Sequence, residues 1–311
     1  MSFERIQHRL ESGRPLVLDA DPGASFRARG LGLDVPGTLG LLLRERPKEV
    51  LSHYRAEVSS RVDVLSALTA DTTPRALAEV GMQHRSAALT DRAVELAQDA
   101  ASETGRSIGI AGLLGSDMVG PMAADRLHEE LTEHAARLRV SGVDLIVARG
   151  QGSRVGLMAA VVAASRTELP TWAVVECLAG GELERSPLTE LLESLHEAGA
   201  SVVLFEVPSV EVGLRQLERG QESIEALELS VGILLAASSG AIRGFEDPTS
   251  APERWAERAL DLSFAGARVI GGGAGTTEAH TRALAQALGS LHPSVPVAHS
   301  DGELNRDPSG M

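Results

Sequence analysis

Residues 266–284 read GARVIGGGAGTTEAHTRAL, a short apolar run, a glycine-rich turn and the start of a helix. The run Ala267–Gly271 reads as a strand. Thr276-Thr277-Glu278 reads as an N-cap, and Thr276–Leu288 as a helix with Leu284, Ala287 and Leu288 on one stripe. Working upstream, the same unit recurs. Further apolar runs occupy Pro15–Asp19, Val62–Ser66, Ser107–Ala111, Val143–Ala148, Thr171–Glu176, Ser201–Glu206 and Val231–Ala236, which makes eight in all. They are β-branched and continuously apolar rather than alternating, the pattern of parallel strands buried on both faces. Helical spacing fills the intervals. Thr90–Thr104 carries Ala93, Leu96 and Ala97 on one face, with Thr90-Asp91 as its cap. Ala123–Val140 carries Leu127, Leu131, Ala135 and Leu138, Thr189–Ala198 carries Leu191, Leu192 and Leu195, and Pro252–Phe264 carries Trp255, Ala259, Leu260 and Leu262. Eight strand-then-helix units predict an α/β fold, a single-domain (β/α)8 TIM barrel over residues 1–292. A doubly wound open sheet is the alternative, but such sheets usually have fewer strands, and no dinucleotide fingerprint follows the first run. Residues 293–311 are polar and aperiodic and read as a flexible C-terminal tail.

Composition narrows the function. With 29 basic and 43 acidic residues the formal charge is −14, which repels a phosphate backbone, so no nucleic-acid partner is expected. Lys48 is the single lysine and lies in a polar run, which disfavours Schiff-base chemistry and a P-loop. The single cysteine, Cys177, excludes an internal disulfide and a cluster of thiolates. No stretch approaches the ~20 apolar residues that span a bilayer, and the N-terminus lacks the apolar core of a signal peptide. The expectation is a cytoplasmic protein with no membrane partner. A homo-oligomer is compatible with the pattern, which fixes no number.

The segment after the eighth run resembles the homocysteine S-methyltransferase family, whose signature there is an apolar strand, Gly-Gly-Cys-Cys-Gly-Thr, a histidine and a helix. Other segments agree: LDADPGASFRARG (18–30) with the family opening, SHYRAEVSSRVDVLSALT (52–69) with its second-strand region, LTEHAARLRVSGVDLIVA (131–148) with its fourth, and LLAASSGA (234–241) with its Tyr-Pro-Asn-Ser-Gly-Glu. The resemblance covers roughly residues 14–290. It implies a barrel in which three cysteines hold zinc. The zinc holds homocysteine as its thiolate, which takes a methyl group from betaine, S-methylmethionine or a folate. Carried over position by position, the paired cysteines fall at Gly273 and Ala274, and the third falls at about Phe205 or Glu206. Cys177 matches no ligand position. The glutamate that holds the amino-acid substrate falls at about Arg149, and the asparagine and glutamate of the strand-seven motif fall at Ser238 and Ala241. Asp19 and His280 agree with the family, whereas Asp21, Ala24 and Ser25 depart from it. His128 and His134, six residues apart, do not share a helix face and supply no substitute. These departures imply a degenerate site that has lost zinc, with no cofactor expected and zinc-dependent thiol methylation disfavoured.

In such barrels ligands sit at the C-terminal ends of the strands. Two candidate constellations fall there. Asp19, Asp21, Glu176 and Glu206 form a set of carboxylates with one arginine, Arg149. They are candidates for acid–base work or for holding Mg²⁺, or else Arg149 pairs with Glu176 or Glu206 and fills the space of the metal. GGGAGTT (271–277), with Gly272, Gly273 and Thr276, leads into a helix beside Ser238 and Ser239 and suits an anionic ligand, although glycines inherited from a family loop look the same. Trp172, Trp255 and Cys177 read as packing residues. The leading function is a non-methylating, repurposed relative that binds a small molecule or a protein partner at the barrel mouth. An enzyme using the rim carboxylates and a non-catalytic subunit of a methyl-transfer complex are the alternatives.

Overall fold

The computed structural model describes residues 3–31, 35–115, 123–150, 152–177, 187–237 and 251–291; Ser238, Ser239, Ala241 and the tail 293–311 lie outside them. Eight parallel strands form one sheet: β1 (Leu16–Val17), β2 (Val64–Ala67), β3 (Gly109–Leu114), β4 (Leu145–Arg149), β5 (Thr171–Glu176), β6 (Ala200–Val207), β7 (Ser230–Leu235) and β8 (Val269–Gly272). Their order is β1-β8-β7-β6-β5-β4-β3-β2, and a parallel bridge between Leu18 and Val64 joins the two ends. The ring of strands, with helices around it, is a (β/α)8 TIM barrel, as the eight apolar runs predict.

Side-chain alternation divides the core in two. One cluster takes residues from every strand: Leu16 and Leu18, Val64, Ala111, Leu145 and Val147, Trp172 and Val174, Val202 and Leu204, Leu234, and Val269. These fill the barrel interior. Their alternates, among them Val17, Leu65, Ile146, Val175, Phe205 and Ile233, face the helices. Ile6 and Leu10 of helix Phe3–Glu11 join the interior cluster, so this helix plugs the N-terminal end of the barrel.

Several boundaries differ from the sequence reading. The first run contributes only two ladder residues, and the seam it forms with β2 depends on side chains described below. The helix expected at Thr90 begins at Ser86, because Thr90 sits inside it, fully buried, with its hydroxyl donating to the Ser86 carbonyl at 2.9 Å. The last helix begins at Glu278 and not at Thr276. His280 supplies its cap: Nδ1 accepts from the Thr277 N–H at 3.1 Å. Helices Pro47–Ser59, Arg154–Ser165 and Val210–Ala226 have no counterpart among the helices named from spacing.

Candidate functional site

The interior alternation fixes what points into the C-terminal mouth. Continuing Leu145–Val147, Trp172–Val174 and Val202–Leu204 by two residues gives Arg149, Glu176 and Glu206. Glu176 and Glu206 are register partners on β5 and β6, and Arg149 ends β4 beside them. The Arg149 guanidinium donates to Glu206 Oε2 and lies 3.7 Å from Glu176 Oε1. The three side chains are largely sheltered, with 28% of Arg149, 10% of Glu176 and 17% of Glu206 exposed. Burial raises the Glu176 carboxyl above its ordinary pKa. Arg149 opposes that shift and the Glu206 charge adds to it. The mouth therefore holds a guanidinium bridging two carboxylates, with one negative charge in excess.

The other two predicted carboxylates lie across the barrel, on the β1 side. Asp19 is buried. Its Oδ2 accepts from the Ser66 N–H at 2.8 Å and its Oδ1 from the Ser66 hydroxyl at 2.7 Å. It thus staples the β1–β2 seam where the ladder is shortest. Burial lifts its pKa to about 6, against the lowering effect of the Ser66 bonds. Asp21 caps helix Pro22–Ala28 by accepting from the Gly23 N–H at 2.8 Å, and its other oxygen accepts from the Gly275 N–H at 3.2 Å.

That last bond bears on the glycine-rich turn. Gly272 donates its N–H to the Asp19 carbonyl at 3.2 Å, Gly273 to Leu235 O at 2.8 Å and Thr276 to Gly273 O at 3.2 Å, while Gly275 donates to Asp21. The N–H groups that would cradle an anion are thus turned to internal acceptors, one of them already a carboxylate. Gly273 is also pressed against β7: a Cβ there would lie 3.0 Å from Ala236 N and 3.1 Å from Leu234 O. A side chain at this position requires the facing β7 backbone to give by a few tenths of an ångström.

Sequence reasoning missed a buried polar group behind Asp19. Helix Pro47–Ser59 carries His53 and Glu57 four residues apart, on the face that also buries Val50, Tyr54 and Val58. Both are fully buried, and neither ring nitrogen of His53 nor either oxygen of Glu57 has a hydrogen-bond partner among the described residues. The Thr281 hydroxyl and the Ala20 N–H face Glu57 but fall outside hydrogen-bond geometry. Burial, reinforced by the Asp19 charge, lifts Glu57 to a pKa of about 8, and burial lowers His53 to about 4. Two polar residues interrupting an apolar helix stripe were the available signal.

The remaining singled-out residues are structural. Cys177 follows the alternation of Val175 into the helix-facing cluster, so its sulfur points away from the mouth. Trp172 fills the interior. Trp255 donates from Nε1 to Ala236 O at 3.1 Å and meets the His280 ring edge-on at 5.4 Å. His134 is buried, with Nε2 3.0 Å from Thr69 O, and His128 contacts Arg166. Among the described residues no three His, Cys, Asp or Glu side chains are grouped to hold a metal ion, and no helix is long and apolar enough to cross a membrane.

Fold and mouth together define a (β/α)8 barrel with Arg149, Glu176 and Glu206 gathered at the strand ends. The profile of the homocysteine S-methyltransferase family matches residues 16–288, and the chain belongs to that family. Among solved structures, the homocysteine methyltransferase MmuM from Escherichia coli in its metallated form superposes with a TM-score of 0.72 at 19% identity, covering 90% of this chain and 98% of that one. Its oxidized form gives 0.73 at 18%, covering 89% and 97%. The 3-dehydroquinate dehydratase from Geobacillus kaustophilus gives 0.53 at 14%, covering 89% and 91%. At these identities the likeness is one of fold. A search of curated proteins gives no match.

Proposed function

We propose that this family member binds a small zwitterionic or cationic molecule at the barrel mouth and does not methylate a zinc-bound thiol. The observation that carries the reading is the Arg149–Glu206 ion pair, with Glu176 beside it. The resemblance puts a zinc thiolate at about Phe205 or Glu206 and a substrate-holding glutamate at about Arg149. Here Phe205 faces the helices, while Glu206 and Arg149 join each other across the mouth. The paired cysteine positions are Gly273 and Ala274, and the chain's one sulfur-bearing thiol, on Cys177, points elsewhere. This donor set, two hard carboxylates tied to a guanidinium, does not fit a thiolate-held zinc. The excess negative charge favours a positive group on the ligand, and a shared Arg149 offers a fork for a carboxylate.

A second reading, an acid–base enzyme, is supported by the register pairing of Glu176 with Glu206 and by the burial that raises the Glu176 carboxyl, since neighbouring carboxyls in unlike surroundings suit proton transfer. In both readings the ligand sits on the same three side chains. Calorimetric titration with a panel of α-amino acids tests the shared claim. At least one zwitterion is expected to bind, and Glu176→Gln is expected to weaken it by about tenfold or more, the worth of one charge-assisted hydrogen bond. Binding that ignores this substitution, or no binding across the panel, removes the mouth as a zwitterion site.

A further inference from the structure

The end of the barrel opposite the mouth carries a recess of about 200 Å³ beside the plug helix. Four arginines line it, Arg9, Arg14, Arg61 and Arg106, against one carboxylate, Asp63, on a chain whose net charge is −14. Each arrives from a different element. Arg9 stands on helix Phe3–Glu11, Arg14 precedes β1, Arg61 lies in the turn before β2, and Arg106 lies in the turn before β3.

The single carboxylate is already committed. Asp63 takes a two-point contact from Arg9 at 3.0 and 3.3 Å and accepts from the Val17 N–H at 3.0 Å. Arg106 is held in place by donation to the carbonyls of Arg61 and Val62 at 3.3 and 3.0 Å, and it stands 3.7 Å from Asp63. Among the described residues neither Arg14 nor Arg61 pairs with an acidic side chain. Burial holds Arg106 below the usual guanidinium pKa. Asp63 opposes this, while the Arg61 and Arg9 charges add to it, as expected where cations crowd without enough counter-charge.

We propose that this recess binds a phosphate group, either inorganic phosphate or the phosphate of a small phosphomonoester. Planar guanidiniums recognise phosphate oxygens through paired donors, and after Arg9 and Asp63 neutralise each other the surplus charge matches a dianion better than a single carboxylate. The recess is small and the chain carries a net charge of −14, which fits a discrete ligand and not a polymer. Because Arg9 ties the plug helix to Asp63 and Arg106 ties the turn ahead of β3 to the turn ahead of β2, an occupant that also engages Arg14 and Arg61 clamps the barrel's N-terminal end. Ligand binding to the folded state alone raises the thermal midpoint. The site is independent of the reading given to the mouth.

Arg61 supplies a clean test. It adopts φ 69°, the left-handed region that glycine enters without penalty, so Arg61→Gly removes the charge and leaves the turn at least as stable. The full chain is titrated calorimetrically with inorganic phosphate and with glycerol 3-phosphate, with acetate as the monoanion control. One-to-one saturable binding of at least one phosphate is expected, weaker binding of acetate, and a loss of about tenfold or more in both Arg61→Gly and Arg14→Gln. Tighter binding of the ester identifies a phosphomonoester, and tighter binding of inorganic phosphate identifies the free ion. No saturation by either phosphate, acetate binding as tightly, or unchanged affinity in Arg61→Gly overturns the proposal.

Discussion

Replacing Arg149 by methionine is expected to destabilise the protein by about 2–3 kcal/mol at pH 7, and by much less near pH 4.5. The substitution keeps the aliphatic stem and removes the charge that Glu176 and Glu206 share. Breaking a buried pair by deleting one partner costs about 3–5 kcal/mol, and the partial exposure of Arg149 reduces that figure. The sign with pH follows from the carboxylates. Glu176 is already raised by burial, and Arg149 is what holds it down. Without the arginine the folded-state pKa of Glu176 rises further. A raised folded pKa leaves stability intact below the unfolded value, near 4.5, and removes it as pH climbs through the folded value. Urea midpoints at the two pH values read this out, and adding Glu206→Gln to the variant should restore most of the loss. Equal destabilisation at both pH values would assign the effect to packing alone.

Glu57→Gln should act in the opposite direction and stabilise the protein in alkaline solution. Glu57 has a folded pKa of about 8 against an ordinary value of 4.5, so the folded state holds a proton that the unfolded state releases over that window. Stability therefore falls as pH rises from 4.5 to 8, and a neutral amide of the same shape does not pass through that fall. At about 1.4 kcal/mol per unit, the advantage of the variant grows by about 3 kcal/mol between pH 5 and pH 8. Asp19, lifted to about 6, gives up its share by near pH 6. His53 and His134, lowered to about 4, work the other way, since their neutral burial is compatible with folding above 6.5 and penalised as pH falls toward 4. Above about pH 7.5 Glu57 alone of these four groups is still changing charge, so the alkaline limb isolates it. Parallel stability curves for the two proteins over that limb would show that Glu57 is already ionised in the fold.

The barrel was legible because a strand buried on both faces leaves an unbroken apolar run, and each of the eight runs overlaps or adjoins a strand. Positions within the barrel were less so. The carboxylates Asp19, Asp21, Glu176 and Glu206 all fall at strand ends in the sequence, yet β1 and β5–β6 lie on opposite sides of the ring. The strand order separates two of the four from the other pair. Alternation also divides neighbours. Phe205 and Cys177 face the helices, and Glu206 and Glu176 face the mouth, which period-two counting from Leu204 and Val174 gives once the interior set is known. The glycine-rich turn was ambiguous for another reason. Whether its N–H groups await a ligand depends on Asp21, more than 250 residues away, which accepts from Gly275. His53 and Glu57 escaped notice because nothing local says that a polar pair on an amphipathic helix is turned inward.

The central claim is that a mouth closed by Arg149, Glu176 and Glu206 does not activate sulfur through zinc. Its most direct test is the zinc content of the full chain, produced in zinc-supplemented medium and purified without chelators. A homocysteine methylation assay with betaine, S-methylmethionine and a methylated folate accompanies it. The account predicts zinc far below one per chain and no methylated thiol from any donor. One tightly held zinc per chain together with methyl transfer to homocysteine would contradict it.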